Sequence, residues 1–210
     1  MKYRILFILS AMTLVAAALP AALADSPSTD ACSASGNDPQ ALKSRLAACT
    51  ALIASGQLSG VNLADTYLNR GIGYRKSGEN ALAADDYSQV IALQPDRYDA
   101  YNGRCFARAL MGQLDVALVD CNKALSLSPA DPYTLDTRGF VNLKLGLYDA
   151  AIADYDAELA QDEKFPESFF GRGVAKLRKG DKAGGQADID EALARDAGVA
   201  AEMAGLGVTP

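Results

Sequence analysis

The chain has 210 residues, with 20 Lys and Arg against 26 Asp and Glu, a net charge of −6 and no histidine. An acidic balance without clustered Lys and Arg disfavours nucleic acid and anionic membrane surfaces as partners. The lack of histidine removes the commonest general base and metal ligand.

Lys2 and Arg4 precede an apolar run over residues 5–19, and Ala22-Leu23-Ala24 supplies small residues for cleavage. Residues 1–24 therefore read as a secretory signal peptide, cut near Ala24 and Asp25. The run is too short for a comfortable span of about 20 residues, and no stop-transfer pattern comes after it. A retained N-terminal anchor is the other reading; no cysteine stands at the cleavage point for lipid attachment. Removing Lys2 and Arg4 deepens the charge to −8, with 18 basic against 26 acidic residues. The expected address is periplasmic or secreted, with no stable membrane insertion once the signal is gone. Four cysteines in an oxidising compartment permit three disulfide connectivities.

Residues 25–63 read as a leader and then a capping helix. Residues 25–37 are rich in Ser, Ala and Asp without apolar period, so a mobile leader is expected up to Cys32. Asp38-Pro39 then opens a helix, because Asp accepts a backbone N–H at the N-cap and Pro lacks the donor that would be orphaned. Leu42, Leu46, Cys49, Leu52 and Ile53 fall at intervals of three and four, Gly56 is a plausible stop, and residues 58–62 read as a connecting loop. The helix is amphipathic and needs a partner, which the first helix after residue 63 would supply.

From residue 64 the chain repeats. Asn69-Arg70-Gly71, Gly103-Arg104-Cys105, Thr137-Arg138-Gly139 and Gly171-Arg172-Gly173 are spaced 34 residues apart. Each is succeeded at constant distance by a glycine (Gly78, Gly112, Gly146, Gly180), a small residue (Ala83, Ala117, Ala151, Gly185) and an aspartate (Asp86, Asp120, Asp154, Asp188). Such a unit reads as a helix-turn-helix repeat, giving four units over residues 64–97, 98–131, 132–165 and 166–199, with a tail over 200–210. Hydrophobic spacing of three and four throughout, and no defensible strand, predict an all-α chain.

Positions within the units carry a further resemblance. Tyr67, Gly71, Tyr74, Ala83, Tyr87 and Pro95 in unit one, Tyr101, Ala117, Ala124 and Pro129 in unit two, Leu135, Gly139, Ala151 and Tyr155 in unit three, and Phe169, Gly173, Gly185 and Ala192 in unit four fit one pattern. It resembles the tetratricopeptide repeat (TPR) family, over about two thirds of the chain. Cys105 and Cys121 in unit two, Glu158 and Glu163 in unit three, and the missing terminal proline of unit four depart from it. The resemblance implies a right-handed solenoid of helical hairpins with a concave groove. Small residues at positions 8, 20 and 27 let helices approach, bulky ones at 4 and 24 fill the space, and Gly at 15 ends each first helix. Gly184-Gly185 should weaken the start of the last second helix by about 1 kcal/mol per Gly relative to Ala. A short closing helix is expected over residues 197–206, and disorder after Gly207.

Arg70, Arg104, Arg138 and Arg172 at position 7, and the four aspartates at position 23, are symmetric about the turn, so each Arg can meet the Asp of its own unit or of a neighbour. A ladder of ion pairs is the expected use of them, rather than an anion site. Cys105 and Cys121, at positions 8 and 24, are likewise at one height; a disulfide there would compensate for the lost Gly and aromatic, and Cys32 would then pair with Cys49. Two buried thiols in each pair is the other reading. No Gly-rich phosphate loop is present. Asp85-Asp86 and Asp154-Asp156 read as a solvated face, and Asp162, Glu163 and Glu167 lack the spacing of a calcium loop. No enzyme and no cofactor are expected.

Two functions are open: a protein-interaction scaffold of the cell envelope, or an envelope protein that binds a glycan or small molecule through its aromatic positions. The family resemblance places positions 2, 5, 9 and 12 in the groove. These are Asp65, Leu68, Ile72 and Arg75, then Asp99, Asn102, Phe106 and Ala109, then Tyr133, Asp136, Phe140 and Leu143, then Glu167, Phe170, Val174 and Leu177. Leu68 and Ile72 stand where carboxylate-clamping members carry Lys and Asn, which argues against that ligand. A floor of Phe106, Phe140 and Phe170 with an acidic edge of Asp65, Asp99, Asp136 and Glu167 suits an apolar or amphipathic protein segment carrying Lys or Arg. The competing reading is that these phenylalanines only pack unit against unit. The oligomeric state is left open.

Overall fold

The computed structural model describes residues 29–36, 38–161 and 165–210. The expected signal peptide, the first residues of the leader, and the Asp162-Glu163 pair lie outside them. Among the described residues there are eleven helices and no strand. In chain order they are α1 (Thr29–Ser33), α2 (Pro39–Ala54), α3 (Gly60–Lys76), α4 (Asn80–Leu93), α5 (Tyr98–Leu110), α6 (Leu114–Leu127), α7 (Pro132–Lys144), α8 (Tyr148–Leu159), α9 (Pro166–Lys179), α10 (Lys182–Arg195) and α11 (Val199–Gly205). No helix of the described residues is long and apolar enough to cross a membrane.

Helices pack in consecutive pairs, α3 with α4, α5 with α6, α7 with α8 and α9 with α10, which makes a helical-hairpin repeat solenoid. Each hairpin turn is closed by the same device. Gly78, Gly112, Gly146 and Gly180 adopt φ of 80°, 75°, 76° and 100°, which a side chain would resist. The next N–H then reaches back six residues inclusive: Glu79 to Tyr74, Gln113 to Arg108, Leu147 to Asn142 and Asp181 to Lys176, at 2.8–2.9 Å.

The curvature comes from which helices touch. Alternate first helices make contact, α3 with α5, α5 with α7 and α7 with α9, whereas no two of α4, α6, α8 and α10 do. The first helices therefore line the inner, concave side. Side-chain size sets the hairpin spacing. A Cβ on Gly139 would lie 2.9 Å from the Tyr155 ring, one on Gly71 3.1 Å from Tyr87, and one on Gly173 2.9 Å from Ile189. In the second hairpin the same place is filled by Cys105 and Cys121, both fully buried and joined by a disulfide with Cα atoms 5.4 Å apart.

The ladder binds unit to unit. Nε and Nη2 of Arg70, Arg104, Arg138 and Arg172 grip Asp86, Asp120, Asp154 and Asp188 at 2.6–3.0 Å. The remaining nitrogen, Nη1, donates backwards to the previous element: to Thr50, Ser88, Asn122 and Asp156. Asp86 and Asp154 are thus buried ladder members; only their neighbours Asp85 and Asp156 form the solvated face expected of both pairs.

Three local expectations are corrected. Residues 29–33 form a helix rather than loose leader, because the Cys32–Cys49 disulfide draws Cys32 against α2, where it is 2% exposed. The loop expected over 58–62 is shorter, since α3 begins at Gly60. The tail beyond Gly207 is packed: the Val208 N–H donates to the Met203 carbonyl at 2.8 Å, the Val208 side chain is 3% exposed, and Arg178 Nη2 donates to the Thr209 carbonyl at 3.1 Å. An apolar residue beside Leu143 and Val174 has more to gain from burial than from solvent.

Candidate binding groove

The concave face divides into an open half and a covered half. Leu68, Ile72 and Arg75 from α3, Asp99, Asn102 and Phe106 from α5, and Tyr133 and Asp136 from α7 line a depression of about 290 Å³. Its far end continues into a chamber of about 460 Å³ between α7, α9 and α11, and Arg75, Phe106, Tyr133 and Asp136 border both. Three expected groove residues of unit one, three of unit two and two of unit three are therefore brought together, whereas Asp65 lines a separate depression beside α1 with Thr29 and Cys32.

The rest are not available in the same way. Leu143 and Val174 lie under the C-terminal tail, and with Phe140 and Phe170 they join Met203 and Val208 in one apolar cluster. Phe140 is 4% and Phe170 1% exposed, so Phe170 packs the core while Phe140 shows only an edge to the chamber. Leu177 packs against the same cluster. Ala109 is buried in it.

The acidic edge divides likewise. Arg97 binds Asp65 at 2.8 Å and Asp99 at 2.9 Å, so the carboxylates of the first two units share one guanidinium. Asp136 and Glu167 make no ion pair or hydrogen bond among the described residues. Burial, reinforced by the charge of Glu167, pushes Asp136 up to about 7. Glu158, fully buried where the repeat pattern has a small residue, is pushed up to about 8 by burial and by Asp136; it accepts the Ser168 hydroxyl at 2.6 Å, which acts the other way. Tyr155 lines the chamber, is fully buried, and its hydroxyl has no hydrogen-bond partner among the described residues. In the open half, Asn102 Oδ1 is a second acceptor without one.

Aromatic side chains wall the chamber in two edge-to-face pairs, Phe106 with Phe140 at 5.8 Å and Tyr133 with Phe165 at 6.1 Å between ring centres. The Arg75 guanidinium sits 5.4 Å above the Phe106 ring. Three features escape a reading of the sequence: the role of Arg97, the buried carboxyl of Glu158 with its Ser168 partner, and the tail as a wall. Two of them left a signal: Glu158 by departing from the small-residue pattern, and the tail by the spacing of Val199, Met203, Leu206 and Val208.

No family model matches the chain, and no curated protein matches it. Solved structures do. MamA is 18% identical, with a TM-score of 0.64 over 75% of this chain and 90% of that one. A tetratricopeptide repeat protein from Parabacteroides merdae ATCC 43184 is 20% identical, with a TM-score of 0.64 over 80% of this chain and 66% of that one. YrrB, a TPR protein with an unusual peptide-binding site, is 19% identical, with a TM-score of 0.59 over 75% of this chain and 79% of that one. At such identities the likeness establishes the fold, which is that of tetratricopeptide repeat proteins.

Proposed function

We propose that the chain is a non-catalytic protein-interaction scaffold of the cell envelope, holding a peptide or protein segment in the trough along α3, α5 and α7. The observation that carries this reading is the open half of the concave face, where Leu68, Ile72 and Phe106 form a partly exposed apolar floor beside the unpartnered Asn102 Oδ1. An extended segment would bury apolar side chains on that floor and give a backbone N–H to Asn102. The peptide-binding site of YrrB, a protein of the same fold, supports the class of ligand. The regular polar residues, Arg at position 7 and Asp at position 23, are consumed by the ladder, which leaves them no catalytic role. Two disulfides and the signal-like residues 1–24 support an oxidising, extracytoplasmic address.

The test is capture of partners from envelope extract by the full chain and by a Phe106→Ser, Tyr133→Ala variant. Tyr133 is 64% exposed and Phe106 half-buried, so helicity should survive. Loss of a captured protein with unchanged circular dichroism supports the groove. Thermal stabilisation by envelope glycans, with no protein captured, would favour the glycan reading instead.

A further inference from the structure

We propose that the chamber between α7, α9 and α11 receives one lysine side chain of the bound segment, with Asp136, Glu167 and the Tyr155 hydroxyl as acceptors and aromatic rings as its walls. The proposal rests on the groove reading and names what the segment must carry.

The chamber holds three observations that point to one ligand chemistry. Asp136 and Glu167 line it with no ion pair or hydrogen bond among the described residues, whereas Asp65 and Asp99, which stand where Glu167 stands in unit four, share the guanidinium of Arg97. Tyr155, fully buried, has an unsatisfied hydroxyl there, and leaving such a group unpaired costs free energy that a donor would recover. The rings of Phe106, Tyr133 and Phe165 line the same space, and a ring face turned towards it attracts a cation.

The molecule contains its own control for this arrangement. Tyr87 occupies in unit one the place that Tyr155 has in unit three. Burial pushes the Tyr87 phenol up, and the Arg75 guanidinium beside it opposes that shift. Arg75 is at position 12, and the equivalent residue of unit three is Leu143, which brings no charge. An incoming ammonium would do for Tyr155 what Arg75 does for Tyr87. Arg75 is the cation on the chamber wall, on α3, and it is already engaged with Tyr87 and the Phe106 ring.

Lysine fits better than the alternatives. A compact ammonium has three donors for three separate acceptors, whereas a guanidinium prefers one carboxylate held in a fork. The aliphatic stem can lie along Met203 of α11 and Leu206 just beyond its end. Among the described residues no three Asp, Glu, Cys or His are grouped closely enough to hold a metal ion, which disfavours a divalent cation. The space of about 460 Å³ lies within the roughly 300–1,000 Å³ of small-ligand sites.

The test is a nuclear magnetic resonance titration of the full chain with acetyl-Ala-Lys-Ala-amide at pH 8. Saturable shifts of the Asp136, Phe140 and Ser168 amides are expected, and the norleucine analogue, which keeps the stem but not the charge, should leave them in place. Asp136→Asn and Glu167→Gln should each weaken binding about tenfold, while Asp65→Asn, whose side chain pairs with Arg97 outside the chamber, should not. Equal binding of the norleucine peptide, unchanged affinity in both chamber variants, or tighter binding of the arginine peptide would overturn the proposal. Tighter binding of free n-butylammonium than of the tripeptide would overturn a protein source. Shifts confined to Leu68 and Ile72 with both peptides would sink the chamber and leave the groove reading standing.

Discussion

Lys144 Nζ donates a hydrogen bond of 2.8 Å to the Leu206 carbonyl, tying the end of α7 to the C-terminal tail across 62 residues of chain. That bond is exposed and contributes little by itself, but it marks where the tail lies: along the concave face, over Leu143 and Val174. The tail is thus both a cap for the last hairpin and a wall of the chamber. A solenoid end needs such a cover, because the last unit has no successor to pack on.

Destabilisation should therefore track burial along the tail. Met203→Ala should cost about 2–3 kcal/mol, and Val208→Asp more than about 2 kcal/mol, since it places a charge where 3% of the residue is exposed. Lys144→Ala should cost less than about 1 kcal/mol. Urea titrations check the order; a Lys144→Ala loss as large as that of Val208→Asp would contradict it.

The Cys105–Cys121 bridge should stabilise the second hairpin by about 3 kcal/mol through its 16-residue separation. Replacing it with the Gly and Tyr of unit one should not recover that stability. Tyr87 and Tyr155 each need a glycine in the next unit: a Cβ on Gly103 would come within 2.6 Å of the Tyr87 ring, and one on Gly171 within 2.5 Å of the Tyr155 hydroxyl. The residue in that place after Cys121 is Thr137, buried at 6% exposure. Cys105→Gly with Cys121→Tyr should recover stability only when Thr137→Gly is added. Thermal melts of the double and triple variants decide this.

Stability should decline as pH rises from about 4 to 8. Asp136 and Glu158 have folded pKa values of about 7 and about 8, above their ordinary 3.8 and 4.5. A raised folded pKa means that the folded chain binds the proton more tightly, so the contribution is fully present below the ordinary values and is lost as pH climbs through the folded ones. Glu167 raises both, Asp136 also raises Glu158, and the Ser168 hydroxyl opposes this on Glu158, while Arg75 and Glu202 line the same chamber as Asp136. Asp136→Asn with Glu158→Gln should flatten the slope and raise the melting temperature at pH 8. An unchanged slope would show that these carboxyls are not held protonated by the fold. Asp188, whose folded pKa is depressed by Arg172 and Lys176 against the opposing effect of burial, acts the other way at acid pH: its contribution is present above about 4 and disappears as pH falls below that.

Features that recur every 34 residues were legible in the chain. The Arg and Asp of the ladder announce their partners by lying equidistant from a glycine turn, and the turn glycines announce their left-handed backbone. Features that occur once were not. Arg97 holds Asp65 and Asp99, yet its equivalents in the next units are Asp131, Phe165 and Val199, so no period reveals it. Val208 comes after a glycine near a terminus and reads as loose; its burial depends on Leu143 and Val174, which only folding brings beside it. Glu158 stands out as a departure from the small-residue pattern, but its Ser168 partner and the unsatisfied Tyr155 are visible only in three dimensions.

The central claim, that a protein segment occupies the open half of the concave face, is tested most directly by photocrosslinking. A photoreactive residue at Asn102, in the trough, is compared in intact cells with one at Val119, which is 66% exposed on α6. A discrete protein adduct formed from position 102 and absent from position 119 is the result expected. Adducts from position 119 alone would place the partner on the outer helices and contradict the account.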